Sequence, residues 1–174
     1  GMSAHIHAAN DMLQHALGAS QRIMMSLRPS ILDHGLFPAV QWLATSFEKR
    51  TGIRTILRSN NEELCRDKEV QLTAYRTAQE ALTNASKYAK CTLVQIEISD
   101  AKDFLTMEIT DNGVGITEQE MLKPDAFGIR GLHERAKTVG GWLDVSKNKG
   151  VGTSIILSVP LKAEVDPSPE KQFK

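Results

Sequence analysis

The chain has 174 residues, 41% hydrophobic and 24% charged, with 21 basic and 21 acidic side chains and so a formal net charge of zero. That length holds one domain with a sizeable core, and the composition excludes disorder and collagen-like structure. The charge balance argues against a broad nucleic-acid footprint while leaving room for a small phosphate ligand, and no apolar run reaches the ~18–20 residues that span a bilayer.

Gly1 before Met2 reads as a cleavage remnant, so the natural chain is expected to extend upstream, and any membrane segment with it. From Ser3 to about Leu27 the spacing of Ile6, Leu13, Leu17, Met24 and Leu27 predicts a helix with one apolar seam. Pro29 ends it, and Leu32 to Leu36 reads as a connector. A second amphipathic helix is expected from Pro38 to Arg50, stopped by Gly52, then a short strand from Ile53 to Ser59 and a polar loop to Asp67. Cys65 and Cys91 lack CxxC spacing and zinc-type His neighbours, which predicts reduced, structurally incidental thiols in a cytoplasmic domain.

Helix resumes from Lys68 to Ala89. At ~100° per residue Ala78, Ala81, Leu82, Ala85 and Ala89 share one face, and Glu80, Asn84 and Lys87 cluster opposite. A polar outer face is ordinarily just solvated, so the cluster gains meaning only from the glycine-rich segments later in the chain. Alternating runs from Thr92 to Ser99 and from Phe104 to Thr110 predict an antiparallel hairpin. Asp111-Asn112-Gly113-Val114-Gly115-Ile116 then offers a strand-end carboxylate and glycines that let backbone approach a ligand, although the same letters make ordinary turns. A polar stretch to Ala126 leads to Gly128-Ile129-Arg130-Gly131-Leu132, which opens a helix to Val139 and places free N–H groups and a cation together, an anion site in miniature. Strands from Trp142 to Ser146 and from Thr153 to Val159 flank Gly150-Val151-Gly152, and the tail from Lys162 reads as frayed. These elements predict an α+β two-layer sandwich: a mixed sheet with helices on one face, preceded by a long N-terminal helix.

Taken together, the run Tyr75 to Lys87, then DNGVGI, FGIRGLHERA and GVGT, resembles the N, G1, G2 and G3 boxes of the sensor histidine kinase ATP-binding domain, in order and correctly spaced from about Lys68 to Pro160. The Met25 to Leu36 segment is similar to the end of the dimerisation and phosphoacceptor domain in the nitrate- and cold-sensing subfamily with short ATP lids. The resemblance implies a GHKL-type fold, with residues 1–34 the end of the dimerisation domain plus connector, 35–162 the catalytic domain and 163–174 a tail. It implies ATP and Mg²⁺ as cofactors, a homodimer through the dimerisation helices, a response regulator as partner, and membrane attachment only through upstream segments.

Residue by residue, the resemblance gives Asp111 the adenine amine, an acceptor facing a donor, with Thr153 supporting the same end. Gly113, Gly115, Ile116 and Gly152 belong to the boxes that line the nucleotide. Asn84 would ligate Mg²⁺ and Glu80 would hold a metal-bound water or polarise the attacking group. Lys87 and Arg130 would neutralise phosphate charge, and the N–H groups of Gly128, Ile129, Arg130, Gly131 and Leu132 would cradle it. Tyr88 departs from the subfamily, which commonly has His there. His5, His7 and His15 lie too close to the Met25 to Leu36 segment and lack a following acid, His34 sits in the connector, and none of the five is read as the phosphoacceptor, so the chain is expected to bind nucleotide without phosphorylating itself. A serine kinase or ATPase on the same fold, and a nucleotide-dependent interaction module working through the helix seam, are the competing readings.

Overall fold

The computed structural model describes residues 2–101, 103–123, 128–148 and 150–162, and of residues 18–26 only the backbone. Helix α1 (Met2–Ser26) leads into a 3₁₀ turn over Ser30–His34 and helix α2 (Leu36–Thr51), which Gly52 ends in a left-handed conformation. Strand β1 (Arg54–Ser59) precedes helix α3 (Lys68–Asn84), whose first turn is capped by Asp67: its carboxylate accepts from the amides of Glu69 and Val70. Strands β2 (Leu93–Ala101) and β3 (Phe104–Asp111) form the expected hairpin, and strands β4 (Trp142–Lys147) and β5 (Thr153–Pro160) a second one. Between the two hairpins lie helix α4 (Glu118–Met121) and helix α5 (Ile129–Thr138).

The five strands run in the order β1-β2-β3-β5-β4, with β1 parallel to β2 and the remaining pairs antiparallel. Register brings Ile96 opposite Ile109, and Met107 and Leu143 opposite Leu157, so one sheet face is continuously apolar. Helices α2, α3 and α5 cover it through Val40, Phe47, Ala74, Ala78, Leu132 and Ala136, all buried in the same core. The mixed sheet, the two layers and the long leading helix are as predicted.

Three local features differ from the sequence reading. Helix α2 begins at Leu36, because Leu36 and Leu32 both bury against the core and pull the connector into the domain. Helix α3 does not continue regularly to Ala89: residues Ala85–Ala89 form a π turn that ends at Lys90 with φ +50°. The polar stretch after Ile116 contains α4, held by a capping box between Thr117 and Glu120. Among the expectations, the tail beyond Lys162, Pro124 to Ala126 of the polar stretch, Phe127 of the FGIRGLHERA run, and the seam position Met24 lie outside the described residues and side chains.

The connector is pinned to α3 by two guanidinium groups. Arg28 donates to the Lys68 carbonyl at 2.9 Å and to Gln71 Oε1 at 2.7 Å, and Arg76 donates to the Leu27 carbonyl at 2.9 Å. This explains why the polar residues Gln71 and Arg76 are buried on a helix whose wheel suggests otherwise.

Candidate functional site

The cavity lies between the C-terminal half of α3, the ends of β3 and β5, and the segment leading to α4. Its apolar wall is made by Ala81, Ala85 and Ala89 of α3 and its π turn, with Val94, Ile109, Val145 and Ile155 from the sheet. It is a partly open cleft of about 620 Å³, counting the part open to solvent. Against that wall stand a few polar groups: Asn84, Tyr88, Asp111, Glu120 and Thr153.

Asp111 ends β3 on the cavity wall. Its Oδ1 accepts from Gly113 N at 2.8 Å and from Thr153 N at 3.4 Å, while its Oδ2 accepts no hydrogen bond among the described residues. The carboxylate is therefore aimed, with one oxygen left for a donor on a ligand. Thr153 Oγ1 in turn accepts from Ile116 N at 3.0 Å, which ties the glycine loop to the start of β5. Gly152 is required there: at φ +93°, an added Cβ would collide with the Asp111 carbonyl oxygen. The π turn contributes a free-standing acceptor, the Ala89 carbonyl, which takes Val114 N at 2.8 Å and fixes the opposite side of the same loop. Asn112, by contrast, is structural: its Oδ1 accepts from the amides of Thr92 and Leu93.

Asn84 presents its amide on the cavity wall at the last turn of α3. Glu80 lies one turn earlier, half-buried, and the left-handed Gly128 sits directly over it: a Cβ at Gly128 would come 2.6 Å from Glu80 Oε1. Burial raises the Glu80 carboxyl above its ordinary value, and the charge of Lys87 opposes that rise. Such a group is poised for proton transfer at a higher pH than an exposed carboxylate.

The structure thus brings Asn84, Asp111, Gly115, Ile116, Ile129 and Thr153 onto one cavity wall, with Glu80, Gly113, Gly128 and Gly152 supporting it. Four expected residues stand apart. Lys87 is exposed on the π turn, outside the cavity lining, and its charge acts on Glu80. Arg130 is exposed and paired with Glu134 at 3.3 Å, Gly131 faces open space, and Leu132 is buried in the core. The N-terminus of α5 has Gly128 as its N-cap without a side-chain cap, so its leading amides keep no side-chain partner of that kind.

For a divalent cation the fit is partial and informative. Asn84 supplies an oxygen suited to a hard cation, yet among the described residues no group of three His, Cys, Asp or Glu converges as a metal cluster. Mg²⁺ held by one amide oxygen would need nucleotide phosphates and waters to complete its octahedron. Cys65 and Cys91 are free thiols, and no helix among the described residues is long and apolar enough to cross a membrane.

Residues 69–163 match the family of histidine kinase-, DNA gyrase B- and HSP90-like ATPases. The signal transduction histidine-protein kinase/phosphatase DegS of Brevibacillus brevis is 33% identical over 154 residues, covering 88% of this chain and 40% of that protein. The oxygen sensor histidine kinase NreB of Staphylococcus carnosus (strain TM300) is 33% identical over 142 residues, covering 81% and 41%. The chain therefore spans about two fifths of the length of these curated relatives. Among solved structures, the catalytic domain of histidine kinase ThkA superposes with a TM-score of 0.58 at 15% identity, covering 73% of this chain and 91% of that one. The histidine kinase domain of the Erythrobacter litoralis EL346 blue-light activated kinase gives 0.57 at 19% identity, covering 72% and 61%. At such identities these two likenesses speak to the fold alone.

Proposed function

Starting from the chain's membership of the histidine kinase-, DNA gyrase B- and HSP90-like ATPase family, we propose that it is the ATP-binding catalytic part of a cytoplasmic two-component sensor histidine kinase. Residues 1–34 would be the end of its dimerisation domain, 35–162 the catalytic domain and 163–174 a tail. The observation that carries the reading is the Asp111 carboxylate, held at Oδ1 by two amides and open at Oδ2 in an apolar cavity that Asn84 also lines.

An adenine entering that cavity would donate its exocyclic amine to Asp111 Oδ2, where guanine offers a carbonyl instead. The alanine face of α3 and Ile109, Val145 and Ile155 would exclude water around the base. Bound with the nucleotide, Mg²⁺ supplies charge neutralisation at the phosphates. Asn84 would hold it, and Glu80, one turn away, would accept the proton from the attacking group. The acceptor would be a His on a dimerisation helix upstream, from which a response regulator Asp would take the phosphoryl group.

Phosphotransfer from labelled ATP to a chain with the upstream helix restored tests this reading. Label on a His of that helix, lost in Asn84→Ala, is expected. Steady-state hydrolysis without any label would favour an ATPase of the same family, and nucleotide binding with neither would favour an interaction module.

A further inference from the structure

Glu120 is the second carboxylate on the cavity wall beside Asp111, and neither adenine recognition nor phosphoryl transfer gives it a role. Its geometry is built. Glu120 Oε2 accepts from Thr117 N at 2.9 Å and from Thr117 Oγ1 at 2.8 Å, and Thr117 Oγ1 accepts from Glu120 N at 3.2 Å. Oε1 accepts nothing among the described residues, so one oxygen clamps the side chain and the other is left for a ligand.

The clamp is continuous with the Asp111 site. Thr117 follows Ile116, whose amide donates to Thr153 Oγ1 at 3.0 Å, and Thr153 N donates to Asp111 Oδ1 at 3.4 Å. Asp111 and Glu120 are thus linked through Thr153, the Ile116–Thr117 peptide and the Thr117 side chain. The bonds from Thr117 hold the Glu120 carboxyl below its ordinary value, so it is an anion at neutral pH. An anion there repels phosphate and rewards a neutral donor, and with the base amine given to Asp111 the neutral donors left on a nucleotide are the sugar hydroxyls.

We propose that Glu120 reads the sugar: its Oε1 accepts from the vicinal hydroxyls of a ribonucleotide whose base lies against Asp111, so that the site selects ribonucleotides over deoxyribonucleotides. This rests on the cavity being the nucleotide site. Selectivity arises because a deoxyribose leaves the clamped carboxylate without one of its donors, at the cost of a charge-assisted hydrogen bond.

Calorimetric titration of the 174-residue chain with ATP and 2′-deoxyATP, with Mg²⁺ and repeated with ADP and 2′-deoxyADP without it, tests the proposal. The deoxynucleotides should bind about tenfold more weakly to the wild type, the size of one charge-assisted bond. In Glu120→Gln, whose amide oxygen preserves the capping box, the ratio should fall below about threefold. Glu120→Ala should lower it similarly, and a purely capping role would leave the ratio intact in both. Equal affinities in the wild type, a ratio retained in the variants, or a ratio that changes only with Mg²⁺ would each overturn it. Absence of binding by every nucleotide would sink the reading of the cavity itself and this proposal with it, whereas binding without discrimination sinks this proposal alone.

Discussion

Glu80 and Asn84 stand one turn apart on α3, yet their surroundings differ. Asn84 opens onto the cavity, while Glu80 is covered by Gly128 and its carboxyl is raised by burial. A carboxyl raised in the folded state lends stability below its unfolded value and loses it as pH climbs through the folded value. At neutral pH the ionised Glu80 therefore works against the fold. Glu80→Gln is expected to melt higher than the wild type at pH 7, with the difference vanishing below the ordinary carboxylate value of 4.5, and to lose phosphotransfer once the upstream helix is restored; equal melting at pH 7 would contradict this. At this scale Asp111, Asn84 and Thr153 are legible in the sequence because short polar side chains go where the backbone puts them. Lys87 and Arg130 are not, because a helical wheel sets a face and not the aim of a long side chain, and Arg130 turns to Glu134.

Among the elements, the loops around Asp111 carry more of the site than the helices do. Gly152 packs on the Asp111 carbonyl, so Gly152→Ala must displace backbone as well as bear a left-handed conformation. A loss of about 2–4 kcal/mol is expected, read as a shift in the urea midpoint at constant slope. A loss below about 0.5 kcal/mol, ordinary for a surface site, would show that the two loops part readily enough to admit a methyl group. Strands and helix faces are legible as periods of 2 and 3.6, but the π turn over Ala85–Ala89 is not: Ala-Ser-Lys-Tyr-Ala contains no Gly or Pro to mark it, and the Ala89 carbonyl is met by an amide distant in sequence, that of Val114. Helix α4 is too short to show a period, although the Thr117-to-Glu120 spacing carries its capping signal. The cavity's apolar wall is hidden for another reason: Val94, Ile109 and Ile155 alternate just as core residues do.

For the whole molecule, α1 leaves Ile6, Leu13 and Leu17 exposed, and its end is held to α3 by the Leu27 carbonyl on Arg76. A seam of that kind gains by pairing with another helix. The chain is expected to self-associate at micromolar concentration, and Leu13→Glu with Leu17→Glu to sediment as a monomer; an unchanged sedimentation distribution would rule the seam out as the contact. The net charge of zero is consistent with a site that meets phosphate through backbone amides and a co-bound cation. Calorimetric titration of wild type and Asp111→Asn with ATP and Mg²⁺ shows whether Asp111 reads adenine in this cavity. Asparagine's amide keeps the loop's size and one acceptor but loses the charge. Binding by the wild type and at least about tenfold weakening in the variant are expected; a wild type that does not bind, or a variant that binds equally well, would rule out adenine recognition by Asp111.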